Sequence, residues 1–251
     1  MRDISALNTI DYNGENIDII SIDKLPKFDI EDYDLFDEKD FKKYIFSIEK
    51  ICRGSMEYRN MIKFLRENMD MNHCSFYKNV NNIDTYKIKI EIHHEPFSLF
   101  DICLIVYNKR VAYGESLDEE EVAKEVMLIH YNLMVGLIPL SETVHELVHN
   151  NYLFVPINKV LGNIDTFMDL YHDFIPPETL DLFEKNKEFS EHCDGNIDTN
   201  GVLSKKYIYI DPTGSYDLPN YTELLEYMEN KITNIKEKGF NMPLKQSIEF
   251  I

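Results

Sequence analysis

The chain has no paired cysteines. Cys52, Cys74, Cys103 and Cys193 stand apart with no Cys-x-x-Cys among them, so neither a cysteine zinc ribbon nor a disulfide framework is indicated. Long apolar runs are also missing. Stretches such as Ile102 to Tyr107 and Tyr152 to Ile157 fall far short of the roughly 20 residues that cross a bilayer. The N-terminal MRDISALNTI carries no signal-peptide pattern. The expectation is therefore a cytoplasmic protein with no membrane partner. Positive charge is scarce as well: 26 basic residues face 45 acidic ones, a net charge of -19. A protein that grips nucleic acid through phosphate contacts normally brings a basic surface. What the chain does have is 44% hydrophobic residues in 251, including 12% aromatics, enough for a sizeable core.

Charge is spread unevenly. Between Arg53 and Lys89 seven basic residues meet four acidic ones, whereas Glu115 to Glu146 holds eight acids and one lysine. Any DNA contact is expected on the 53–89 face, and the acidic remainder points to a protein partner. The first 37 residues, with aspartates alternating with apolar residues in NIDIISIDKLPKFDIEDYDLFD, read as an extended acidic arm. A helical domain follows over 38–190, and 191–251 reads as linker, strand and C-terminal helix. Phe41, Tyr44, Ile45, Ile48 and Ile51 predict a helix from Glu38 to about Gly54, and Ser55 caps a second one to about Met69. TYKIKIEIHH alternates apolar and charged residues as a half-buried strand does, and it ends on His93 and His94. Two helices are predicted before Val135, one from Ser98 to about Val111 and one opened by Ser116 with Asp118 to Glu121 in its first turn. Beyond the helix bearing HELVH, one helix stops at Pro176 and Pro177, PETLDLFEKNKEFS forms another, KYIYID a strand, and TELLEYMENKITNIKEK a last helix. Glu191 to Ser204 is the linker candidate.

The segment TVHELVHNN contains His-Glu-x-x-His. Residues four apart share a helix face, so His145 and His149 can bind one zinc ion while Glu146 activates a water on it, as in metalloproteases. The extended protease form fails, because Tyr152 stands where its glycine belongs. That reading also leaves His93 and His94 without a role. The remaining histidines His73, His130, His172 and His192 read as structural.

A strand ending in His-His, a connection, and then a helix with His-x-x-x-His form an ordered set. The segments IEIHH and GLIPLSETVHELVHNN resemble the HNH endonucleases, in a phage-encoded form, over Lys87 to Asn151 only. The resemblance implies an α+β fold in which a ββα-metal motif over 87–151 is embedded in a mainly helical domain. It implies His94 as general base, and His93, His145 and His149 as ligands of one divalent ion, with Mg, Mn, Ni and Zn not distinguished. Glu146 would then face solvent. The implied function is metal-dependent hydrolysis of DNA phosphodiester bonds, in the host cytoplasm or a virion. Gly136 stands where that family carries an asparagine, and with the acidic charge this favours a second reading: a non-catalytic subunit with the HNH fold in a virion or a nucleic-acid-processing machine. A His-Glu-x-x-His zinc protease is the third.

Overall fold

The computed structural model describes residues 33–76, 88–150, 152–192 and 221–240. Its described part is mainly helical, eight α-helices around one two-stranded antiparallel sheet, in keeping with an α+β class. Helix α1 runs Glu38–Gly54 and α2 Met56–Asn68. Asp37 opens α1 by accepting from the backbone N–H groups of Lys39 and Asp40. Ser55 closes α1 and opens α2, its hydroxyl accepting from Tyr58 N–H. One polar residue thus satisfies orphan groups of two helices, and the chain turns without a loop. Tyr44, Ile45, Ile48 and Cys52 bury one stripe of α1, which packs on α3 (Leu99–Tyr113) and α4 (Glu119–Tyr131).

Ser98 and Asp101 form a reciprocal capping box at the start of α3, and Gly114, at φ 63°, ends it. Ser98→Ala is expected to cost about 1 kcal/mol, read as a fall of about 2–4 °C in a thermal melt. The opening of α4 differs from the expectation. Asp118, not Ser116, is the cap, because its carboxylate reaches Glu120 and Glu121 N–H, while the Ser116 hydroxyl reaches only Asp118 N–H. Arg110 of α3 then ties to Glu125 of α4 at 2.7 Å.

Strand β1 (Ile90–His94) pairs antiparallel with β2 (Leu137–Ser141), so that Ile90 faces Ser141 and His94 faces Leu137. The two helices expected between the strands are α3 and α4. All five residues of β2 are buried, and α5 (Glu142–His149) follows it with no intervening residue. Just before β2, three backbones cross. The Gly136 carbonyl accepts from Glu95 N–H, and a Cβ on Gly136 would lie 1.8 Å from the Glu95 carbonyl oxygen. Gly162, at φ 148°, passes the other side, where a Cβ would lie 2.0 Å from the Val135 carbonyl oxygen. Gly136 therefore marks a close crossing that admits no side chain, asparagine included.

Helix α6 (Ile164–Tyr171) ends in a 3-10 turn at His172–Phe174, and Pro177 opens α7 (Pro177–His192). That is the tolerated place for proline, whose missing N–H would be unpaired there anyway. Phe183 of α7 stacks on Phe97. Helix α8 (Tyr221–Lys238) buries Leu224, Met228 and Ile235, and its Tyr227 stacks on Phe64 of α2 at 3.9 Å. Residues 1–32 of the expected arm, Thr85 to Lys87 of the expected strand, most of the 191–204 linker and the KYIYID segment lie outside the described residues, and Ile88 and Lys89 of that expected strand precede β1 without joining it.

Candidate metal centre

A β-strand sends successive side chains to opposite faces, and this splits the His93–His94 pair. Glu91 and His93 face α5. His94 faces the helices on the other side. His145 and His149, one turn apart on α5, meet His93 there: one ring nitrogen of each lies within 4.8 Å of the others. The ring centroids of His93 stand 4.9 Å from His145 and 5.2 Å from His149, and the two helix imidazoles approach to 3.0 Å between their Nε2 atoms.

Glu91 decides the state of His145. Its carboxylate lies 2.6 Å from His145 Nδ1, so Nδ1 carries the proton and Nε2 keeps its lone pair toward His149. A carboxylate behind the distal ring nitrogen is the usual orienting partner of a metal-binding histidine. Lys89 in turn holds Glu91 by a close ion pair, which with the neighbouring His145 keeps that carboxyl below the usual range. Burial, helped by His93 and His149, pushes His145 down to about 4. Burial and His93 lower His149 as well. Both rings are thus neutral at pH 7 and able to donate a lone pair. Glu95 closes the far side, 3.4 Å from His93 Nε2 and held by Asn186 of α7. An all-imidazole donor set backed by a carboxylate fits zinc, nickel, copper or iron better than magnesium or calcium, which prefer oxygen ligands.

His94 is not brought to this cluster of ring nitrogens. Its Nε2 lies 3.0 Å from His130 Nε2, and its ring stacks on Tyr58 at 6.2 Å. His130 in turn holds the Val126 carbonyl through Nδ1 at 2.7 Å. Both rings are buried, and burial lowers both, His130 to about 4 and His94 well below its usual value. His130, in the last turn of α4 between Ile129 and Tyr131, carried no motif that would have singled it out. Glu91 was more legible, since i and i+2 on a strand share a face. Glu146 is exposed on α5, and the carboxylates whose charge acts on His149 are Glu91 and Glu95.

Two adjoining hollows of about 520 and 430 Å³ share Arg53, Tyr58, Ile62 and Arg66 as walls, and the smaller is lined also by His93, His145 and His149 and by His94. No helix among the described residues is long and apolar enough to cross a membrane.

The family described as Bacteriophage G278-like virion protein matches residues 3–214. No curated protein and no solved structure matches the chain. The match spans most of the 251 residues, and the chain belongs to this virion-protein family. The finding overturns the resemblance to HNH endonucleases, and with it the nuclease, hydrolase and DNA-binding functions that the resemblance implied. The misleading signal was short: a strand-end histidine pair and a helical His-x-x-x-His. The role of general base assigned to His94 rested on that family alone.

Proposed function

We propose that this member of a phage virion-protein family is a structural, non-catalytic component of the particle, in which His93, His145 and His149 hold one divalent transition-metal ion as a brace. The observation that carries the brace is the state of α5. This eight-residue helix buries only Val144, and isolated helices shorter than about 12 residues are marginal in water. Yet it presents two histidines to a third on β1, one of them oriented by Glu91. A bound ion would supply the anchoring that apolar packing does not, because ligand binding to the folded state alone adds directly to stability.

The non-catalytic part of the reading draws on the family and on His94, which is committed to a buried partner. Protein purified without chelator is expected to carry about one equivalent of zinc, nickel or a similar ion by elemental analysis, and His145→Ala/His149→Ala none. No stoichiometric ion after zinc loading, or an ion retained by the double variant, would sink the brace. Mass spectrometry of gradient-purified particles tests the location: the chain should be found at structural copy number, and its absence refutes that part.

A further inference from the structure

In a chain with 19 excess negative charges, the cations gathered beside the metal centre call for an explanation. Arg59, Lys63 and Arg66 lie at i, i+4 and i+7 on α2, one face of the helix, and with Arg53 of α1 they line the larger hollow. Lys89 lines the adjoining one. Neighbouring cations of the groove pair with acids: Arg53 meets Glu49, Lys63 lies 3.9 Å from Glu67, and Lys89 meets Glu91. Arg59 and Arg66 do not. Among the described residues, Arg59 donates only to the Ser55 carbonyl and the Met56 sulfur, and Arg66 to the Ile90 carbonyl. Arg66 Nε is buried with no hydrogen-bond partner, and so is Asn72 Oδ1 on the same wall. A guanidinium presents a planar fork that matches an oxyanion bidentately.

We propose that this groove is a docking site for a short acidic segment of another virion subunit, whose carboxylates Arg59 and Arg66 receive. The length of the basic surface selects that occupant over a nucleic acid. Glu67 already borders the groove, and the remaining surface is strongly acidic. A polyphosphate backbone continuing past the groove would meet like charge for its whole length, with one charge per about 1.7 Å of duplex. A run of a few carboxylates ends before that repulsion begins. The proposal rests on the structural-subunit reading but not on the metal, and metal content measured on the same sample separates the two.

The test uses the full chain and a fluorescein-labelled hexaglutamate peptide, followed by anisotropy. Saturable binding at low ionic strength that weakens with added salt is expected. R59E/K63E, both at exposed positions of α2, should weaken it about tenfold or more with an unchanged circular-dichroism melt. No binding by the unmodified chain, unchanged affinity in R59E/K63E, or tighter binding of a labelled oligonucleotide with six phosphates would each overturn the proposal.

Discussion

Gly136→Ala is expected to lower the melting temperature by about 10 °C or more, a large effect for a single added methyl group. The added Cβ would sit 1.8 Å from the Glu95 carbonyl oxygen and 2.8 Å from Val160 Cγ2. Carbon and oxygen do not approach so closely, and the first obstacle is backbone. Relief therefore requires that the end of β1 move away from β2. That shift would break the Glu95 N–H to Gly136 carbonyl bond and carry His93 and His94 with it. Overpacking that side chains absorb costs about 1–3 kcal/mol. A crossing held by three backbones, with Gly162 pressed from the other side, absorbs less, so more than about 4 kcal/mol is expected. Differential scanning fluorimetry of the chelated protein gives the number. A melt within about 3 °C of the unmodified chain would mean that the crossing yields easily.

Acid should destabilise this protein, and His130 is a buried contributor beside the lowered His94, His145 and His149. Its Nδ1 donates to the Val126 carbonyl, so its Nε2 accepts, and His94 Nε2 is the donor across the 3.0 Å contact. A second proton on His130 would place two N–H groups head to head in a buried site. Burial holds His130 at about 4, against 6.5 for an ordinary histidine. Below about pH 6.5 the unfolded chain takes up a proton that the folded one refuses. Stability is therefore complete above that pH, falls as the pH drops, and stops falling on this account near the folded value of about 4. The full loss is on the order of 3 kcal/mol from His130 alone. Urea midpoints at pH 7.5 and 4.5, taken in chelator to remove any metal, should show most of it. In His130→Leu the His94 donor is left unpaired, so stability at pH 7.5 drops and the acid-dependent part shrinks. A flat profile in the unmodified chain would show that the pair is solvated.

The local elements were readable because their causes are local. Asp37, Ser55 and Ser98 accept from N–H groups two or three residues on, and their helices start where those residues stand. Where two caps competed, at Ser116 and Asp118, reach to the N2 and N3 amides decided, and a pattern search could not rank them. Glycine at 136 read as a departure from a family pattern. In the fold it is the only residue type that fits under Glu95. The family itself was misread because two histidine pairs carry little information compared with a match over residues 3–214.

By itself, the sequence determined the helices, the strand that ends on two histidines, the spacing that puts His145 and His149 on one face, and the scarcity of positive charge. Only the tertiary structure decided which histidines share a site. Strand alternation sends His93 to α5 and His94 to α4, and the pairing of β1 with β2 sets which turn of α5 lies over Glu91. Hydrogen bonds and periodicity act over about four residues, whereas the meeting of residues 93, 145 and 149 depends on the register of two strands and on a glycine crossing that leaves no room for a side chain.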